Sequence, residues 1–489
     1  MGIANRSAMR LLPLRPALPD PRSRPSVVRP GACLGLLLLL ASGSARAAAE
    51  GGAASVVPAV PRLPQMLSLD EALRIFRNEG LDLLIAEANV RNAEGGILIA
   101  GALPNPVLSG GAGYAITYAN NAFSRAQCLQ SGAQCSSWTN NIGVNDSAAL
   151  ETILSGKRDL RLKVARNALA AAKLSRVDAE RTLAFQVKAT YLQVAQAILG
   201  YEFARQVAAS NTETLRKFQA RYSKGAINEG DLERIETQKL ESDQTLDTAV
   251  QALRVARVAL AFLLGVRGQV PEFAVDTHVL DFSVPPSVQN ASEVGLLRNA
   301  FALRPDLAAL GFQRTAAEAQ IQLTQRLKFP DIDLGLTYSF GGFGGQSTNG
   351  PVGPEVLAFT LSFPFPVFYQ YEGELRQARA QRDGVALQEA KQTAQVVSDV
   401  ATGLAGVVAA RALVERMEGP RREGGGLLGS AKGAFDVVAQ QYEKGVASLT
   451  DYLDALRTYI ATKIEYYSDL TNYWTAIFQL EAAVGKELK

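Results

Sequence analysis

From Lys157 to Lys224 the chain runs 68 residues without a proline, and Gly200 is the one glycine in that stretch. A segment so free of breakers predicts a single helix of about 100 Å at 1.5 Å per residue. No globular core needs a helix that long, so the chain must fold as an elongated body of helices packed along their sides. The apolar residues agree: Leu183, Val187, Tyr191, Val194, Ile198 and Tyr201 follow a 4-and-3 spacing. The same spacing returns near the far end at Leu449, Leu453, Leu456, Ile460, Ile464, Tyr467, Thr471, Trp474 and Phe478. Such stripes indicate coiled-coil-like pairs.

The chain is also a repeat of two halves. "YSKGAINEGDL" from Tyr222 to Leu232 is matched 220 residues later by "YEKGVASLTDY" from Tyr442 to Tyr452, so Tyr222, Lys224, Gly225 and Asp231 recur as Tyr442, Lys444, Gly445 and Asp451. Gly80 to Tyr114 aligns with Arg304 to Tyr338, placing Asp82 on Asp306, Leu83 on Leu307, Pro106 on Pro330 and Tyr114 on Tyr338. Each half therefore reads as a short helix, two strands, a very long helix, a Lys-Gly turn and a returning helix. The first repeat spans 68–290, with strands at about 106–118 and 142–154, a long helix at 157–224, a returning helix at 228–265 and an equatorial linker. The second spans 291–489, with strands at about 331–340 and 356–366, a long helix at 371–443 and a returning helix at 447–485. "SLDE" at Ser68 to Glu71 reads as a capping box opening the first helix. "EGPRREGGG" from Glu418 to Gly426 predicts a kink or break in the second long helix.

The strands alternate with period 2. "IDLGLTYSF" sets Ile332, Leu334, Leu336, Tyr338 and Phe340 against Asp333, Gly335, Thr337 and Ser339. "LAFTLSFPF" sets Leu357, Phe359, Leu361, Phe363 and Phe365 against Ala358, Thr360 and Ser362. In the first half, Leu108, Ala112, Tyr114, Ile116 and Tyr118 oppose Ser109, Gly111, Gly113 and Thr117, and the stretch from Ile142 to Leu154 is similar but interrupted by Asp146. Stretches of about ten residues with an aromatic apolar face and a small polar one suit a membrane barrel. Four strands cannot close one, and lipid does not tolerate open edges. Strands that span a membrane therefore require oligomerisation, with three copies and twelve strands as the simplest closed ring. Polar stretches at 119–141 and 341–354 supply the far-side loops.

Arginines at 6, 10, 15, 22, 24 and 29 precede the apolar run from Leu34 to Ala41, and Ala45-Arg46-Ala47 offers a cleavage site after Ala47. Residues 1–47 thus read as a secretory signal peptide, with Met9 as a second candidate start, and 48–67 as a Pro- and Ala-rich leader. Removing 1–47 takes away seven Arg and one Asp, so the formal charge of +3 becomes −3. The basic balance of the whole chain therefore gives no support to nucleic-acid binding. Cys33 lies before the apolar run, the wrong place for lipoprotein processing; Cys128 and Cys135 either close a small disulfide loop or remain free thiols. His278 is the sole histidine, so no Ser-His-Asp set or metal spacing can be assembled, and there is no P-loop or dinucleotide fingerprint. The residues point to no enzyme, cofactor or metal.

The twofold order, with Tyr-x-Lys-Gly followed six residues after the glycine by Asp, resembles the TolC family of outer-membrane efflux channels, and "YEKGVASLTDYLDALRTY" resembles that family's characteristic stretch. The resemblance covers the chain from about Ser68 onward. It implies a mainly α-helical chain with a membrane β-barrel: a homotrimer whose 12-stranded barrel lies in outer-membrane lipid and continues as a helical tunnel across the periplasm. It implies that Lys224, Gly225, Lys444 and Gly445 form tips that meet a periplasmic adaptor protein, with an inner-membrane pump of RND or ABC type behind it. It implies further that Tyr442, Asp451 and Asp454 constrict the inner mouth, with Asp231 and Arg234 at the equivalent places of the first repeat. Asp451 and Asp454 share one helix face, so threefold symmetry gathers them into rings of like charge. Arg234 and Asp454, as repeat equivalents, suit salt bridges between neighbouring helices. "NPVL" at Asn105 to Leu108 resembles the metal-efflux branch of the family. The expected function is an exit duct for efflux; a type I secretion duct and a periplasmic coiled-coil scaffold with a soluble sandwich are the alternatives.

Overall fold

The computed structural model describes residues 57–114, 138–289, 291–341, 346–347, 350–351, 356–419 and 425–488. Ala47, Cys128 and Cys135 lie outside the described residues. The unit from Ala59 onward opens with α1 (Leu69–Glu79) and α2 (Leu81–Gly101), then β1 (Val107–Tyr114), β2 (Trp138–Asn145) and the short α3 (Ala149–Leu154). The long α4 (Lys157–Tyr222) and returning α5 (Glu229–Leu263) complete the first half. The second half runs α6 (Glu293–Leu303), α7 (Pro305–Arg326), β3 (Asp333–Gly341), β4 (Val356–Ser362), α8 (Glu372–Glu418), α9 (Leu427–Glu443) and α10 (Leu449–Val484). Two helices, not one, precede each strand pair. Gly80 ends α1 by returning its N–H to the Phe76 carbonyl, and Pro305 at the start of α7 enforces the matching break.

α4 is unbroken over 66 residues. Its counterpart breaks where the Pro-Gly cluster predicts: Gly419 and Gly425 take φ values of 66° and 76°, and the Gly426 N–H returns to the Glu418 carbonyl at 2.7 Å. From Glu372 to Glu443 the second long element spans 72 residues against 66 in the first, an excess of six, with the break interposed between Glu418 and Leu427.

The strands form one antiparallel sheet in the order β1-β2-β3-β4. Register sets Leu108 opposite Val144, Tyr114 opposite Trp138, Val144 opposite Leu336, and Leu336 opposite Phe359, all on one face. The other face carries Ser109, Gly111, Gly143, Thr337, Ala358 and Thr360. Gly111 and Gly143 sit where an added Cβ would come within 3 Å of Asn141, Ser109 or Thr337 side chains, so small residues there keep the polar face thin. β2 departs from the sequence expectation of 142–154. It begins four residues earlier, at Trp138, and ends at Asn145, because Asp146 turns the chain. Its carboxylate accepts from the backbone N–H groups of Ala148, Leu150 and Leu334, and Ser147 and Ala148 take positive φ before α3 begins. β4 ends at Ser362 because Pro364 and Pro366 cannot donate to a ladder.

Midway along α4 a belt of packed side chains fixes the helices. Val187, Tyr191, Leu192 and Val194 bury against Leu67, Phe76, Leu260, Phe273, Val275, Tyr473 and Ile477. Met66–Leu67 pairs in parallel with Ala274–Val275, and the buried Tyr191 hydroxyl donates to the Leu67 carbonyl at 2.8 Å and accepts from Asp276 N–H at 3.0 Å. Arg304, buried, answers Asp306 and Asp399 at 2.7 and 2.9 Å. α8 is, among the described residues, the helix long and apolar enough by composition to cross a bilayer. Its Val396, Val400, Val407 and Val414 are instead buried in this belt. The expected capping box of α1 is half made: Ser68 Oγ accepts from Glu71 N–H at 3.2 Å, while the Glu71 carboxylate turns to Arg74.

Candidate functional site

At the end of the helices opposite the sheet, both hairpins reverse in the same way. The Ala226 N–H reaches back to the Arg221 carbonyl at 3.0 Å and the Gly225 N–H to Tyr222 at 2.9 Å; Val446 to Gln441 at 2.9 Å and Gly445 to Tyr442 at 3.0 Å repeat both bonds. This is the Schellman closure, which requires a left-handed residue, and Gly225 and Gly445 supply φ values of 70° and 74°. Lys224, Gly225, Lys444 and Gly445 are all exposed.

Three residues on, each chain segment starts its return with a cap. Asn228 Oδ1 accepts from Asp231 N–H at 2.8 Å, and Ser448 Oγ accepts from Asp451 N–H at 3.1 Å. In the second tip the cap is reciprocal: Asp451 Oδ2 takes the Ser448 N–H at 3.1 Å and hydroxyl at 2.7 Å. The Ser448 hydroxyl, then its N–H, hold the Asp451 carboxyl below its ordinary range. The recurring aspartate therefore occupies the third position of a returning helix in both halves, and in the second it closes the cap. Asp454, one turn further, is exposed and, among the described residues, has no ion-pair partner.

A small core joins the two tips. Phe218, Ile235, Leu449 and Leu453 are buried together, with Leu215, Leu232, Tyr442 and Tyr452 packed around them. Tyr442 stacks on Phe218 with centroids 5.9 Å apart and an interplanar angle of 2°, and meets Tyr452 at 5.4 Å. Burial raises the Tyr442 hydroxyl above its ordinary value, and the positive charge of Arg221 opposes the rise. Asp231, half-buried, adds its negative field from the first tip. Arg234 does not meet Asp454 within the chain; its Nη1 donates to Thr450 Oγ1 at 3.2 Å. Further along, Arg457 bridges to Gln238 at 3.2 Å and Glu241 at 3.3 Å, tying α10 to α5.

The structure thus brings Tyr442, Asp231, Arg234 and Asp451 to one end of the molecule, with Asp454 a turn beyond. Sequence reading missed Phe218, Arg221, Thr450 and Tyr452, which carry the contacts between repeats. One signal was available: Arg221 and Phe218 have Gln441 and Val438 as repeat equivalents, so the asymmetry between halves falls on the residues that cross between them. Nothing in the cluster couples a nucleophile to a base. What it offers is a pinned pair of helix reversals with carboxylates on the returning faces.

Comparison with known proteins fits this architecture. The family model described as outer membrane efflux protein matches residues 74–266 and 296–486, one match for each repeat. The chain is 22% identical over 457 residues to the cobalt-zinc-cadmium resistance protein CzcC of Cupriavidus metallidurans, covering 93% of this chain and 98% of that one. It is 25% identical over 393 residues to the pyoverdine export outer membrane protein OpmQ of Pseudomonas putida, covering 80% of each. Its fold is similar to the crystal structure of the outer membrane protein VceC of Vibrio cholerae, with a TM-score of 0.63 at 18% identity, covering 86% of this chain and 97% of that one. With the family model spanning both repeats, a sheet apolar on one face and helices too long for any core, the chain belongs to the outer membrane efflux protein family and is an efflux channel of the outer membrane.

Proposed function

We propose that this chain forms, as a homotrimer, the passive exit duct of a tripartite pump, conducting small molecules or ions that an inner-membrane transporter and a periplasmic adaptor deliver to its inner mouth. The observation that carries the reading is the sheet: four antiparallel strands with one apolar exposed face and two edges, β1 and β4, that are unpaired among the described residues. Unpaired backbone in lipid costs several kcal/mol per group, so the edges demand partners. Pairing β4 of one copy with β1 of the next closes a ring of three. The chain has no phosphate-binding loop, so energy must come from the transporter.

At the other end the same symmetry sets three copies of Asp451 and Asp454 around one mouth, next to Tyr442, Asp231 and Arg234. Rings of like carboxylates at a constriction attract cations and hold multivalent ones. The exposed Lys224 and Lys444 turns stand furthest out and are the surface offered to the adaptor. The relatives are named for cobalt-zinc-cadmium resistance and for pyoverdine export, two unlike cargoes. A duct that surrounds its cargo with water suits both, and the small polar sheet face supports that. A type I secretion role uses the same duct with a different pump.

The test is conductance in planar bilayers. The double variant Asp451→Ala with Asp454→Ala is expected to conduct more at rest and to lose block by multivalent cations; block that persists unchanged refutes the charged mouth.

A further inference from the structure

α3 is built inside out. In this six-residue helix Glu151 and Thr152 are buried at 8% and 5% exposure, while Leu150, Ile153 and Leu154 stand 53%, 49% and 85% exposed. A helix against water shows the opposite pattern, with its apolar face inward. The inward face has a reason: Glu151 Oε1 meets the buried Lys157 Nζ at 3.1 Å, and Lys157 also reaches Asp331 Oδ1 and the Phe329 carbonyl, each at 2.7 Å. Phe329 itself, just before β3, is 55% exposed. The charges are thus gathered on the protein side and the apolar groups turned away from it.

We infer that α3 and Phe329 form a wedge seated among the acyl chains of the periplasmic leaflet, so that the membrane boundary lies below the strand ends at the level of Leu154. Three observations choose lipid over another protein surface. α3 follows β2, which is flanked on both sides within its own chain by β1 and β3, so it stands away from the open edges where another copy pairs. The sheet that α3 directly follows carries an exposed apolar face of its own, where Leu108, Ile142 and Phe359 are 63%, 50% and 81% exposed. The second repeat carries exposed Phe365 and Phe368 at the same point of its order, between β4 and α8. An inverted helix at a bilayer boundary buries apolar side chains about 5–10 Å into the headgroup and acyl region while its polar side faces the protein.

The inference rests on the membrane-barrel reading, and the experiment separates the two. In the full chain with Cys33→Ser, Cys128→Ser and Cys135→Ser, single cysteines replace Leu154, Ile153, Phe359 or Glu213. Each is labelled with an environment-sensitive fluorophore and reconstituted in phosphatidylethanolamine–phosphatidylglycerol vesicles containing phosphatidylcholine doxylated near the headgroup or deep in the chain. The Phe359→Cys label reports the barrel and the Glu213→Cys label reports water. The label at Leu154 is expected to be quenched by the shallow doxyl lipid to an extent comparable with Phe359, and to resist aqueous iodide; Ile153 repeats the measurement should one substitution misfold. Quenching at Phe359 together with iodide access at Leu154 and Ile153 overturns the wedge and keeps the barrel. Resistance of Leu154 to both quenchers places α3 against another protein surface and also overturns it. Loss of lipid quenching at Phe359 removes the barrel and the wedge together.

Discussion

Asp451 performs two tasks that pull on the same carboxylate. It closes the cap of α10 through Ser448, and it stands at the mouth where threefold symmetry multiplies its charge. Asp454 has no such bond among the described residues, so its charge can be removed without touching the helix start. The single variant Asp454→Asn is therefore expected to weaken cation block while leaving the amides of α10 protected, whereas Asp451→Asn changes both. The acid limb follows from linkage. Because Ser448 holds the Asp451 carboxyl below the ordinary 3.8, the cap contributes fully above that value and is lost only as pH falls through the lower folded one. Hydrogen-exchange protection factors at residues 449–452, taken relative to the intrinsic rate at each pH, should thus be equal at about pH 7 and about pH 5 and decline only as the pH falls below the ordinary 3.8. A protection factor already lower at about pH 5 than at about pH 7 would show that the cap is not what protects the turn.

At the scale of elements, the reversals depend on glycine for one reason only. An added Cβ at Gly225 or Gly445 meets open space, so alanine there costs just the left-handed backbone, about 1 kcal/mol of local stability at each tip. Gly200, inside α4 and equally open, gains from the same change by up to about 1 kcal/mol. Opposite signs in hydrogen-exchange protection at the two kinds of site check the assignment; equal signs would contradict it. Much of this level was legible in the sequence. The long helix, the break after Glu418, the Lys-Gly reversals and the alternation of β3 and β4 all rest on local rules of breakers and period. α3 was not legible, since Leu150, Thr152 and Leu154 alternate as a strand would, and only the turn made by Asp146 decides otherwise. The reciprocal cap at Ser448 has a visible Ser-x-x-Asp signal, in which the sequence reading takes Asp451 for the mouth alone. The stack of Tyr442 on Phe218 and the charge of Arg221 acting on Tyr442 relate residues more than 200 positions apart, and no local rule brings them together.

For the molecule as a whole, the unpaired edges of β1 and β4 make a prediction about number. With Cys33→Ser, Cys128→Ser and Cys135→Ser, cysteines at Ala112 in β1 and Phe359 in β4 are on opposite margins of the same sheet face. A short bifunctional reagent applied to outer membranes should yield a ladder that stops at three copies, and recovery of monomer alone would refute ring closure. The belt around Tyr191 has a mechanical reading as well. Its hydroxyl is fastened to Leu67 and Asp276 midway along α4, 31 residues from the reversal at Tyr222. That distance is a lever arm of roughly 45 Å with its fulcrum in the belt. A tilt of about 5° that leaves every belt contact in place sweeps the tip through about 4 Å, so the fulcrum can stay still while the far end moves by more than the length of a hydrogen bond.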